Sequence, residues 1–246
     1  MKRFNLRALP LFAAALIFFS SCGGDASTND TSADSPAVAK TDTPAVAANT
    51  IVSTPQGMML VTHKVSNFEK FLASYEAHDS FRLANGVHSY VIGRGFQDSN
   101  TVFVATKVDD MEKAKAFSKS PGLKQAMQKA GVGGAPTISF LTATWQDTAT
   151  LSGSMLRSRT NFSVKDWAAW EKNFIDGRQE RIANGIVDRA YGHDPADNTK
   201  VELVTAVTDT AKAFAYYKSD ELKKRRAAGG VMGEPKRFLF YVVKRY

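Results

Sequence analysis

The chain of 246 residues has a single cysteine, Cys22, so no intramolecular disulfide can hold it together. Its four histidines, His63, His78, His88 and His193, show no HExxH or short paired spacing, which argues against a structural zinc centre, and no metal site is expected. There is no nucleophile elbow, catalytic-triad order or acidic metal cluster. The glycine-rich stretch Gly131-Val132-Gly133-Gly134 follows a helical pattern, lacks Gly-Lys-Ser/Thr and leads into a strand, which argues against a nucleotide loop. The apolar run Leu9 to Phe19 is about half of the roughly 20 residues needed to span a bilayer. Residues 23–50 have almost no large apolar side chain and cannot form a core.

What is present begins with a leader. Lys2, Arg3 and Arg7 precede the apolar run and Ser20-Ser21 follows it, the layout of a cleaved export signal over residues 1–21. Phe19-Ser20-Ser21-Cys22 resembles the bacterial lipobox, with Phe in the place usual for Leu. That resemblance implies lipid attachment at Cys22, and the acylated cysteine would bind membrane lipid stably. An ordinary signal followed by an incidental cysteine is the plainer alternative. The expected location is therefore the bacterial cell envelope, anchored on its periplasmic or surface face. Residues 22–50 read as a disordered tether that holds the folded part about 30 Å from the membrane.

The folded part contains the same pattern twice, at a constant offset of 99 residues between Phe68 and Pro136. Corresponding pairs include Phe71/Trp170, Arg82/Arg181, Gly93/Gly192, Ser120/Ser219, Gly131/Gly230 and Pro136/Pro235. This divides it into repeats at 51–150 and 151–246. The leader carries +3 and the tether −3, so the repeats hold the whole net charge of +8. The first has 10 bases and 8 acids, the second 18 and 12. A basic half could attract lipid, nucleic acid or an anionic small molecule. Export argues against nucleic acid. The cluster Lys223-Lys224-Arg225-Arg226 reads as a solvated helix end that complements the macrodipole.

Each repeat alternates strand and helix signals. In the first, Met58 to Val65 reads as a strand and Asn67 as the cap of a helix running to Asn85-Gly86. His88 to Ile92 and Thr101 to Val108 read as strands. Asp109 with Glu112 forms a capping-box pattern, Ser120-Pro121 restarts the helix, and Thr137 to Trp145 is the last strand. The order β-α-β-β-α-β is the ferredoxin-like unit, with both helices on one face of the sheet. Strands such as Val102-Phe103-Val104-Ala105 are apolar on both faces, so the open face needs a partner. The second repeat can supply it, giving an α+β fold in which two ferredoxin-like repeats form a covalent pseudo-dimeric barrel with helices outside.

At this point the chain resembles the dimeric α+β barrel superfamily, and within it the antibiotic biosynthesis monooxygenase-like proteins. The resemblance rests on Val65-Ser66-Asn67-Phe68, on His78 and Arg82 before Asn85-Gly86, and on Ser120-Pro121-Gly122-Leu123-Lys124 before Gly131-Val132. It implies the barrel fold and a range of activities, among them cofactor-free oxygenases and haem-degrading enzymes. A fold hosting so many activities does not select one.

Comparison of the copies shows where the second breaks the apolar template. Met58, Leu60 and Thr62 correspond to Arg157, Arg159 and Asn161, and Phe103 corresponds to Glu202. Buried charges are costly unless paired. One reading is a ligand-binding polar floor made by Arg157 or Arg159 with Glu202, joined by Arg189 and Tyr191 from the second strand. The other is an internal ion pair, or arginines reaching solvent from the strand end. His63, His78 and Arg82 are weaker candidates. The resemblance would make His78 a general base or axial haem ligand, but Gly177 stands opposite it, so such a site would exist in one half only. A surface or helix-capping histidine is the alternative. Arg82 and Arg181 lie near helix ends, where the macrodipole alone explains them.

These observations favour a lipid-anchored module binding a small, partly apolar and anionic molecule, without a cofactor. A monooxygenase-like enzyme and a ligand-free structural protein are the alternatives. The residues suited to proton transfer are solitary, so catalysis ranks below binding. Further association into homo-oligomers stays open.

Overall fold

The computed structural model describes residues 49–151 and 155–246; the leader, Cys22 and nearly all of the tether lie outside the described residues. The first half runs β1 (Ile51–Val52), β2 (Gln56–Val65), α1 (Phe68–Ala77), α2 (Asp79–Leu83), β3 (Val87–Gly95), β4 (Thr101–Val108), α3 (Met111–Ser118), α4 (Pro121–Lys129) and β5 (Val132–Asp147). The second runs β6 (Leu156–Val164), α5 (Trp167–Asp176), α6 (Arg178–Ala183), β7 (Ile186–His193), β8 (Lys200–Val207), α7 (Thr210–Lys218), α8 (Asp220–Ala228) and β9 (Val231–Arg245). Both halves have the β-α-β-β-α-β order.

Local chemistry sets most of these boundaries. Asn67 and Asp166 accept from the amides of Lys70 and Ala169 and open α1 and α5. Ser120 and Ser219 do the same for α4 and α8. The cap of α3 is Asp110, which accepts from the Lys113 amide, and not Asp109, whose carboxylate meets His88 at 2.9 Å. The helix expected to run unbroken to Asn85 is interrupted at His78, and its counterpart at Gly177. The last strand begins five residues before the expected Thr137, so all of the glycine-rich stretch except Gly131 lies inside β5, which bulges opposite the Thr62–Lys64 segment of β2.

The sheet order is β1-β5-β2-β4-β3-β9-β6-β8-β7, and β5 also pairs with β7. The two halves therefore close one continuous barrel, with each long last strand leaving its own half to pair with the other. The seams correspond: Gly93 faces Val242 across one, and Gly192 faces Ala143 across the other. A Cβ at Gly93 would run into the Phe240 ring, and one at Gly192 into the backbone of Thr142 and Ala143. Close approach at the seams explains why this pair of glycines recurs.

Alternation along the strands separates two layers. Met59, Val61 and Val104 pack outward under the helices with Phe68, Phe71 and Phe117. Met58, Leu60, Phe103 and Leu141 point into the barrel and meet Phe240 from the second half. Under the helices of the second half, Trp170, Phe174 and Tyr191 form one apolar cluster, and Ile186, Val207 and Tyr216 another. Among the described residues, no helix is long and apolar enough to cross a membrane.

Candidate functional site

Inside the barrel, Arg159 of β6 and Glu202 of β8 meet. The register sets Asn161 opposite Glu202 and Arg159 opposite Val204, which makes the charged pair a diagonal one on the inner face. Arg159 donates from Nε to Glu202 Oε1 at 2.6 Å and from Nη2 to Oε2 at 2.8 Å. Asn161 donates to Glu202 Oε2 at 2.7 Å, and Arg159 also reaches Ser139 and Thr62 of the first half. Both charges are buried. This network is satisfied by its own members, which leaves Arg159 little to offer a ligand.

Arg157, two residues earlier on the same face, is different. It is 5 % exposed, its side chain makes no hydrogen bond among the described residues, and its Nη1 is buried without a partner. Burial first, then the neighbouring Arg189 and Arg245, lower its pKa to about 10. Arg189 is held by Asp147 at 2.8 Å and by the carbonyl of Ala149. The two arginines share a cavity of about 80 Å³ within the barrel.

Tyr191 is not brought to them. A bulge at Arg189 shifts the register of β7, so Tyr191 turns outward and stacks on Trp145 with ring centres 5.5 Å apart. There burial raises its pKa to about 12.

Two further cavities lie between the helices and the outer face of the sheet, at corresponding places in the halves. The one in the first half, about 60 Å³, is lined by Phe71, Phe81, Phe117 and Met127, and holds both His63 and His78. His63 is 6 % exposed, its ring 5.0 Å from Phe71, and neither ring nitrogen has a partner. Burial lowers its pKa to about 4, so it is neutral at ordinary pH. His78 sits at the helix break with Nδ1 2.7 Å from the carbonyl of Ser74. A haem needs several times the room of this cavity of about 60 Å³, so the site does not fit that group.

Arg82 is a structural clamp. It donates to the Tyr75 carbonyl at 2.6 Å, to Ser89 and to Asp79, and lies 3.6 Å over the Tyr75 ring. Arg181 repeats this on the Phe174 carbonyl at 2.7 Å and the Phe174 ring at 3.5 Å, and grips Asp188 with two bonds of 2.7 Å. Each arginine satisfies a carbonyl at the end of α1 or α5 from inside the core. Their burial, at 5 % exposure, goes beyond a macrodipole role.

The cavity in the second half, about 90 Å³, has Trp170 and Phe174 as apolar walls and Ser158, Thr160 and Thr205 on its floor. Four arginines line it: Arg181 and Arg225 are paired with Asp188 and Glu180, while Arg226 and Arg237 make no side-chain hydrogen bond among the described residues. Arg237 lies 3.6 Å over the Tyr217 ring, and both Arg237 Nε and the Tyr217 hydroxyl are buried without a partner. Burial lowers the pKa of both arginines; Glu234 opposes the shift at Arg226, and Arg226 adds to it at Arg237. Arg225 is taken up by Glu180, 2.6 Å away, which also accepts from Tyr216. Half of the basic cluster expected to be solvated is thus turned toward the interior.

Arg226, Arg237 and Tyr217 are the residues that sequence reasoning missed. The signal was available, because their counterparts at the 99-residue offset are Met127, Ile138 and Ser118. Among the described residues, no group of three His, Cys, Asp or Glu side chains could hold a metal ion.

Solved structures share this fold. A provisionally named monooxygenase of Fusobacterium nucleatum aligns with a TM-score of 0.53 at 12 % identity, over 78 % of this chain and 94 % of its own. An anthrone oxidase-like protein gives 0.53 at 16 %, over 80 % and 95 %. A provisionally named chlorite dismutase gives 0.51 at 13 %, over 78 % and 96 %. No protein-family model matches the chain. No curated protein matches it either. The class defined is therefore a fold, the ferredoxin-like α+β barrel.

Proposed function

We propose that this protein binds a small, partly apolar carboxylate in the cavity between the helices and the sheet of its second half. One observation carries the reading: Arg237 lines an otherwise largely apolar cavity with its Nε buried and unpartnered and no carboxylate acting on it, while Glu234 acts on its neighbour Arg226. A cation so placed is costly until an anion joins it. At roughly 10–15 Å³ for each water-sized centre, the cavity has room for about six to nine such centres, which suits a carboxylate of similar heavy-atom count. The aromatic walls suit a ring or short chain, and the guanidinium suits a planar carboxylate.

Calorimetric titration of the full chain with benzoate, and with benzamide as the uncharged match, tests this. Binding of benzoate alone, weakened at least tenfold by R237M, supports the reading. Equal behaviour of the two compounds refutes it.

The leader and Cys22 supply the location in this proposal: an exported chain held in the bacterial cell envelope by its acylated cysteine. A second reading, an oxygenase-like enzyme working without a cofactor, has His63 in its favour. Its neutral, unpartnered imidazole faces an apolar cavity and is free to accept a hydrogen bond from a substrate, but a pKa of about 4 makes it a weak proton acceptor. Turnover lost in H63F would support it.

A further inference from the structure

The interior of the barrel holds more positive than negative charge. Arg157 comes from β6, Arg189 from β7 and Arg245 from the end of β9, and all three border the cavity of about 80 Å³. Glu202 borders it too, but both of its oxygens are taken by Arg159. Asp147 is the one other carboxylate bordering it among the described residues, and it holds Arg189. Three guanidinium groups against one carboxylate leave two positive charges uncompensated.

The surroundings make this excess costly. Met58, Leu60, Phe103 and Phe240 also line the cavity, so Arg157 and Arg189, each 5 % exposed, have little water and no further acid to face. Arg157 is the extreme case, more than nine-tenths buried and without a side-chain hydrogen bond among the described residues. In the first half its counterpart is Met58. A packing role would be met by methionine at lower cost, so the arginine needs another explanation. Arg245 is exposed and stands where the cavity opens, which gives an anion a way in.

We propose that the barrel interior is an oxyanion site of the phosphate and sulfate class, distinct from the carboxylate cavity under the helices. A tetrahedral dianion matches the uncompensated charge, and at about 80 Å³ the cavity accommodates one with its remaining waters. The three arginines come from three strands of the second half. Asp147, which orients Arg189, and the apolar wall come mainly from the first. The site is thus complete only when the barrel is closed, and occupancy should hold the halves together.

The test uses the full chain with inorganic phosphate and with sulfate, against sodium chloride at equal ionic strength. The expected result is a saturable rise in melting temperature with phosphate or sulfate and none with chloride. R157M should abolish the rise. R245A, which removes an exposed side chain, should raise the half-saturating concentration at least tenfold. R237M should leave it unchanged, which separates this site from the carboxylate cavity. An unsaturable rise, an equal rise with chloride, or a full rise in both R157M and R245A would overturn the proposal.

Discussion

Arg159 and Glu202 grip each other with two hydrogen bonds, of 2.6 and 2.8 Å, where the first half has Leu60 and Phe103. The same pair of strand positions is solved once with grease and once with charge. Removing one charge alone strands the other in a buried place, so R159L or E202F should each cost about 3–5 kcal/mol. The double variant R159L/E202F restores the residue types of the first half and should recover most of that loss. Denaturant unfolding of the three variants checks it.

His63 gives a pH signature. Its folded pKa is about 4 against an ordinary 6.5, so between these values the unfolded chain takes up a proton that the folded chain refuses. Stability from this group is therefore full above about pH 6.5, falls as pH drops through the window and levels off below about 4. The loss is about 3 kcal/mol. H63F, which installs the residue found at Phe162, should remove that acid limb. Unfolding measured from pH 7 to 4 reads it.

The two arginine clamps should differ in strength. Asp188 is buried, its side chain 3 % exposed, and depends on Arg181 for both oxygens, with Arg178 adding one bond at 3.2 Å. Asp79 is 48 % exposed and can turn to water when Arg82 is lost. R181M should cost about 3–5 kcal/mol and R82M about 1–3 kcal/mol, by thermal or chemical unfolding.

The seam glycines offer a second asymmetry. A methyl at Gly93 meets the buried Phe240 ring, a side chain that must repack, whereas one at Gly192 meets the backbone of Thr142 and Ala143. Overpacking typically costs about 1–3 kcal/mol. G192A should lie at or above the upper end of that range and G93A below it. Hydrogen exchange at β5 and β7 should rise in G192A, because that seam is what the methyl forces apart.

Much of the fold was legible because its signals are local. The caps at Asn67 and Ser120, the Pro121 that follows, and the glycines at 86 and 131 are each read within a few residues. The break at His78 was not legible, since it depends on Arg82 reaching back to a carbonyl seven residues earlier. Nor was the full length of β5, whose first residues pair with Lys64 and Val65 of β2 beyond a bulge. At the candidate sites, Arg159 and Glu202 followed from strand order. Tyr191 did not, because the bulge at Arg189 reverses which face it takes. Arg226, Arg237 and Tyr217 were open to the same comparison of halves that exposed Arg157 and needed only its extension past the strands that open each half.

The carboxylate cavity is tested most directly by a crystal structure of the protein grown with benzoate. The account predicts the ring between Trp170 and Phe174 and the carboxylate within hydrogen-bond distance of the Arg237 guanidinium. Benzoate seated elsewhere with Arg237 untouched, or that cavity empty at saturating benzoate, would contradict it.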